Sequence, residues 1–474
     1  MTQTRTVAAA RPMGFGRKLA LGAGDFGFNL YWQTASLYLL FFYTDVLGLP
    51  PSIAGAIYML ALIWDAVLDP LIGSVVDRTR SRLGRYRPYL LFGGVPLGLI
   101  FAASFLAPTG DSVFAIAVTA TLHVAFRTLY AAISIPYSAL FARVTQDARV
   151  RAELAGFRMV CATLGALIVA GGTLPFVKAF STPEAPRLGW TILGLAFGVV
   201  ASLLLLVVAW AARGYDDFEV QPAPRRDLQA MLRSLLANRA LLIVLGAVMV
   251  SSFANTLFGK NLLYYFKYIV GRAELASAAM ALVALGAAVL VPLFAWIART
   301  RGKRATWLIG SVPSLIGMLL WRLGQDGSSL PLLFTALGLY AFGTAAYVVC
   351  FWSMLPDTVE YGEWKSGVRT ESLVFGLGVL GQKFALGLGA GFLGIALAHV
   401  GYVANAEQTP ETIAGIKAMM FWFPLGGWVV SVALIAFYPL GLKEHARIVE
   451  EIAARRLAAS PETLNSALGT PVNT

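Results

Sequence analysis

Residues 53–76 read IAGAIYMLALIWDAVLDPLIGSVV, an almost unbroken apolar run with Asp65 and Asp69 set inside it. A helix rises about 1.5 Å per residue and roughly 20 apolar residues cross the hydrocarbon of a bilayer, so this run is long enough to span one. Asp65 and Asp69 are four positions apart and project from one helical face. A carboxylate at that depth is costly unless it meets a cavity, a cation or a partner charge. A buried ion pair would satisfy the two acids structurally. A site that a cation or proton occupies in turn would satisfy them functionally, and two stacked acids in mid-membrane favour that second reading.

Further apolar runs extend the pattern along the chain. Twelve spans are expected near 19–44, 52–76, 87–107, 113–141, 155–177, 189–212, 240–268, 274–298, 306–323, 330–355, 372–400 and 416–439. With 58% hydrophobic and only 13% charged residues, the composition excludes an ordinary soluble protein. Continuous runs rather than short alternating ones also exclude a membrane β-barrel. The net charge of +12 resides largely in short loops such as Arg78–Arg87 and Arg299–Arg304. That is the orientation signal of membrane insertion, not a nucleic-acid footprint, and it puts both termini in the cytoplasm of a bacterial inner membrane. Cys161 and Cys350 fall inside spans and read as small apolar fillers. No phosphate-cradling loop, metal-ligand spacing or nucleophile–base pair stands out, so no enzyme activity, metal or cofactor is expected beyond a coupling ion.

The expected organisation is a tail (1–18), a six-helix bundle (19–212), a linker with an amphipathic helix (213–239), a second six-helix bundle (240–440) and a C-terminal tail (441–474). In the linker, Leu228, Met231, Leu232, Leu235 and Leu236 recur at helical spacing beside Arg226, Arg233 and Arg239. Six spans, a basic linker and six more spans form the two-bundle pattern of major facilitator transporters. The fold class is therefore an all-α membrane protein of twelve helices in two pseudo-symmetric bundles.

Polar residues inside the spans carry the functional signal. Asp25, Asn29, Gln33 and Ser36 share one stripe of the first span, with Trp32 close by. Such a stripe suits an aqueous path for a hydroxyl-rich solute, with helix packing as the alternative. The fourth span carries His123, Arg127, Tyr130, Ser134 and Tyr137 on another stripe. Arg127 needs a carboxylate, most economically Asp65 or Asp69, or else an anionic substrate. Arg158 and Lys383 add cations from opposite halves of the chain. Asp357, Glu360 and Glu363, followed by Lys365 and Arg369, suggest salt bridges that hold one access state, which makes them gate residues. Lys260 and Lys267, near the end of the seventh span, read as snorkelling lysines.

Several of these pieces resemble one family. Gly24-Asp25-Phe26, Asn29 and Phe42-Tyr43-Thr44-Asp45-Val46 resemble the first helix of the glycoside–pentoside–hexuronide:cation symporters, the melibiose-permease branch of the major facilitator superfamily. Trp64-Asp65, Asp69-Pro70, Arg82–Pro88, Ile135–Leu140 and Asp357–Lys365 resemble further segments of it, across about residues 15 to 456. The resemblance implies symport of solute with H+, Na+ or Li+ by alternating access, with Asp65 and Asp69 as the cation site. It implies that Arg158, Lys383 and Tyr130 contact the solute. Asn29 and Ser134 stand where melibiose permease has two sugar-gripping acids, a departure that argues against a galactoside. Leu68 and Ala131 replace an asparagine and a threonine of its cation site. Fewer neutral oxygens favour H+ over Na+.

The expectation is a monomeric cation:solute symporter carrying a glycoside, pentoside or hexuronide. Asp65 and Asp69 bind the cation, Arg127 is a charge partner, and Asp25, Asn29, Trp32, Tyr130, Ser134, Arg158 and Lys383 contact the solute. Alternatives are a carrier of lysolipids or other amphiphiles, and a membrane sensor that transports nothing.

Overall fold

A computed structural model describes residues 13–145, 147–215 and 228–458 of the chain. Every regular element among them is helical: α1 (Phe15–Leu37), the short α2 (Leu39–Phe41) running into a π-helical turn (Phe42–Val46), α3 (Pro51–Arg78), α4 (Arg87–Ser104), α5 (Val113–Val144), α6 (Ala148–Phe180) and α7 (Leu188–Ala211). They are followed by α8 (Leu228–Ala237), α9 (Arg239–Tyr268), α10 (Glu274–Arg301), α11 (Lys303–Gly324), α12 (Leu330–Ser366), α13 (Glu371–His399), α14 (Pro410–Ala436) and α15 (Leu442–Ala458). Eleven of these helices are long and apolar enough to cross a membrane. The expected twelfth crossing, α1, falls outside that set because Asp25, Asn29 and Gln33 dilute its hydropathy. Its polar stripe marks it as a helix lining something other than lipid.

Lipid exposure is written along α3. Leu60, Trp64, Val67, Leu71 and Val75 are exposed at i, i+4, i+7, i+11 and i+15. In a soluble protein such a stripe would be a liability, whereas in a bilayer it is the solvated face. The opposite face of α3 buries Tyr58, Ala61, Leu62, Asp65 and Ala66. Prolines inside α3, α4, α5, α6, α10, α11, α12 and α14 are of the kind that neighbouring helices support in a membrane.

By packing the chain divides into two compact units. The first is the described part of Met1–Gln221 together with Leu257–Ala284 and Gly387–Ala418. Within it α1 lies against α6 and α7, α3 against α5, and α4 against α5 and α7. Glycine makes the closest approach possible: a Cβ on Gly98 of α4 would stand 2.7 Å from the carbonyl oxygen of Gly198 on α7. The segments from the second half join this unit by contacts of the same kind. A Cβ on Gly55 of α3 would lie 3.0 Å from Cα of Gly394 on α13, and the Tyr38 hydroxyl is 3.4 Å from that of Ser277. This grouping differs from a division at residues 213–239.

The second unit comprises Leu285–Leu386, Met419–Thr474 and Pro222–Thr256, as far as these are described. There α11 packs along α12, and α12 also holds α8 and α15. The amphipathic helix expected in the linker is present as α8, with Leu235 buried and Leu236 exposed. Arg226 lies outside the described residues.

Candidate functional site

The stripe of α1 is half-buried as a set: Asp25, Asn29, Trp32, Gln33 and Ser36 are neither sealed nor fully exposed, while Gly24, Phe28, Tyr31 and Ala35 behind them are buried. Asp25 is the charged centre of the stripe. Its carboxylate accepts from two guanidinium nitrogens of Arg158 on α6, at 2.6 Å from Nε and 3.2 Å from Nη2. The Tyr137 hydroxyl of α5 donates to the same carboxylate at 2.6 Å. Arg158 also stacks over the Phe141 ring at 4.2 Å. A two-pronged pair in this setting is geometrically fixed as well as strong.

Residue 24 determines whether that cluster forms. A Cβ there would sit 2.5 Å from the Tyr137 ring, so the tyrosine crosses α1 over a glycine to reach Asp25. Further along the stripe, the Asn29 amide donates to the Asp25 carbonyl at 2.8 Å, and Trp32 leans on Tyr130 with ring centroids 5.9 Å apart. Tyr130 and Ser134 are half-buried on successive turns of α5. Six of the seven expected solute contacts therefore belong to the first unit. The seventh, Lys383, is half-buried on α13 in the second.

Asp65 is fully buried on the protein face of α3, and Asp69, one turn on, is half-buried. Beside them the Trp64 indole donates to the Thr128 hydroxyl at 3.0 Å, tying α3 to α5.

Arg127 is not where its expected role put it. It is 1% exposed, and its guanidinium faces His123 Nε2 at 3.4 Å and the Tyr58 hydroxyl at 3.5 Å, with the Trp32 ring 5.2 Å away. Among the described residues it forms no ion pair with Asp65 or Asp69, so the direct charge partnership expected from the sequence is absent. The aromatic cage around it explains the difference: ring faces take up a cation without a formal charge.

The two lysines of α9 also depart from snorkelling. Lys260 is 4% exposed; its ammonium sits 3.8 Å from the Tyr58 ring centroid and donates to the Ser36 carbonyl. Lys267 bonds Asp45 at 2.7 Å. Asp45, in the π-helical turn, accepts also from Tyr268 at 2.5 Å and Tyr402 at 2.7 Å, while its carbonyl accepts from the Asn405 amide at 2.8 Å. Burial first, and then the charge of Asp45, pushes the Tyr402 phenol far above the ordinary tyrosine range. This knot was missed in the sequence because its members lie hundreds of positions apart.

The expected gate residues lie in the second unit and find their partners there. Glu363 takes Arg369 at 2.9 Å and Arg456 of α15 at 2.5 Å. Bonds from Glu363 and Glu371 hold Arg369 above the usual guanidinium value. Asp357 takes Lys303 at 2.5 Å, and Glu360 takes His445 of α15 at 2.5 Å. Lys365 instead donates to the Ala237 carbonyl at 3.1 Å. Asp357, Glu360 and His445 bring one potential metal-ligand atom each within 4.8 Å of the others. Lys303 already occupies the cation position at Asp357.

Comparison with known proteins places the chain among membrane sugar transporters. The isoprimeverose transporter of Lactiplantibacillus pentosus is 30% identical over 442 residues, which are 92% of this chain and 91% of that protein. The glucuronide carrier protein homolog of Escherichia coli (strain K12) is 32% identical over 91% of this chain and 94% of its own. Among solved structures, a bacterial homologue of the human lysosomal transporter Spinster superposes with a TM-score of 0.67 at 14% identity, over 90% of this chain and 97% of that one, which establishes the shared fold. The model of the MFS/sugar transport protein family matches residues 20–441. Membrane-length helices and a match of that extent have one reading: the chain belongs to the MFS/sugar transport protein family, the glycoside–pentoside–hexuronide symporters, and is a multi-pass membrane transporter.

Proposed function

We propose that this transporter couples uptake of a sugar-like solute to H+ through Asp65 and Asp69. The observation that carries this reading is the burial of Asp65 on the protein face of a lipid-exposed helix, one turn from Asp69. A carboxylate at that depth is costly, and reversible protonation relieves the cost while giving the charge a role. The solute path runs along the α1 stripe, where Trp32 and Tyr130 offer ring faces to a sugar and the Asp25–Arg158–Tyr137 cluster offers charge and hydrogen bonds. The names of the relatives, an isoprimeverose transporter and a glucuronide carrier homologue, support a glycoside or sugar acid. The basic loops support a bacterial inner membrane with both termini in the cytoplasm.

The test is accumulation in membrane vesicles. Asp65→Asn cannot cycle a proton, so uphill uptake is lost while downhill solute exchange continues. Unchanged uphill uptake by that variant removes the assignment.

A further inference from the structure

Four cations of the first unit can be compared directly. Arg158 holds Asp25 and Lys267 holds Asp45, so each of these charges is neutralised in place. Arg127 and Lys260 differ. Both are at least nine-tenths buried, both touch the same residue, Tyr58, and among the described residues neither is within ion-pair distance of a carboxylate. Among the described residues Arg127 Nη1 is buried without a hydrogen-bond partner. Two like charges converging on one phenol in a low-dielectric interior repel each other, and both have lost hydration. His123, a further titratable group against Arg127, brings a ring nitrogen rather than a negative charge, and Tyr43 and Tyr130 bring phenols. An anion beside them would offset both charges.

We propose that Arg127 and Lys260, which both approach Tyr58, form an anion-binding site that takes the carboxylate or sulfonate of an acidic solute. The site adjoins the solute path directly, because Trp32 belongs to the half-buried α1 stripe and lies against the Arg127 guanidinium. Lys260 touches the same stripe through Ser36. A planar guanidinium presents paired donors to a carboxylate and a lysine adds a point charge, the usual division of labour at anion sites. Arg158, by contrast, is committed to Asp25 and is left to contact neutral hydroxyls. This inference rests on reading the α1 stripe as the solute path, and it narrows the solute to an acid.

Binding to the full-length protein in nanodiscs tests it, separately from transport. The probes are matched glucosyl and galactosyl methyl glycosides with and without a C6 carboxylate, plus sodium chloride as a free inorganic anion, read by intrinsic tryptophan fluorescence. The wild type is expected to prefer an acidic glycoside over its neutral twin by roughly tenfold or more. Arg127→Gln brings the ratio of acidic to neutral affinity close to one. Arg127→Lys retains part of the preference, and Lys260→Gln reports independently if the arginine variants fail to fold. Equal affinity for acidic and neutral twins in the wild type overturns the proposal, as does a folded Arg127→Gln protein that keeps the preference. Arg127-dependent binding of chloride that the acidic glycosides do not displace assigns the site to a free anion and overturns the solute assignment. Preferential acid binding without cation-driven accumulation leaves the anion site standing and sinks the symport reading instead.

Discussion

Tyr137 reaches Asp25 across a residue that has no side chain, and much of the site's geometry follows from that crossing. Gly24→Ala places a methyl group 2.5 Å from the ring, so the phenol is displaced and Arg158 loses its orienting neighbour. Tyr137→Phe removes only the hydrogen bond to a charged acceptor, worth about 1.5–3 kcal/mol. The solute KM is expected to rise in both variants, and more in Gly24→Ala, with kcat much less affected. Transport kinetics of the two side by side check this, and a Gly24→Ala protein with wild-type KM contradicts the role given to the crossing. Asp25→Asn should be the most damaging of the three, because it leaves a partly buried guanidinium without its acid.

At the scale of elements, the π-helical turn after α2 matters most. It aims Asp45 at Lys267, Tyr268 and Tyr402, and so ties the end of α9 and the segment after α13 to the first helix. Under the proposed orientation this knot faces the outside. Asp45→Asn weakens three charge-assisted bonds at once. A cysteine placed at Asn405 should then react faster with a membrane-impermeant thiol reagent than in a protein that keeps Asp45. An unchanged labelling rate means that the knot does not hold these ends. The pH dependence has a definite sign. The Tyr402 phenol is raised by burial and by Asp45, so its contribution is fully present below the ordinary tyrosine value of about 10 and is lost only as pH climbs through the higher folded-state value. Once divided by the thiolate fraction, which itself climbs towards a thiol pKa of about 8.5, the labelling rate at position 405 should therefore be flat between about pH 6 and 9 with Asp45 intact. In the second unit, Glu363→Gln deprives Arg369 and Arg456 of a shared acid. Because those arginines are exposed, the expected effect is faster proteolysis of α15 rather than loss of the fold.

For the molecule as a whole, the decisive quantity is the driving ion. If the proton is coupled, a protonophore collapses accumulation to the level of equilibration, while a sodium ionophore leaves it in place. Vesicles with imposed pH or sodium gradients decide this, and accumulation that follows sodium alone refutes proton coupling.

Membrane class, helix content, the Asp65–Asp69 pair, the α1 stripe and the family resemblance were all legible in the chain. Each depends on periodicity or composition within a few helical turns, and the bilayer imposes those locally: runs of fixed length, and polar residues confined to one face. What the sequence could not supply was which faces meet. The caging of Arg127 by Tyr58 and Trp32, the burial of Lys260, the Asp45 knot and the grouping of 257–284 and 387–418 with the first helices join residues scores to hundreds of positions apart. Those pairings are selected by close approach at small residues and by where a buried charge meets a carboxylate, an aromatic face or a carbonyl, neither of which leaves a periodic trace along the chain.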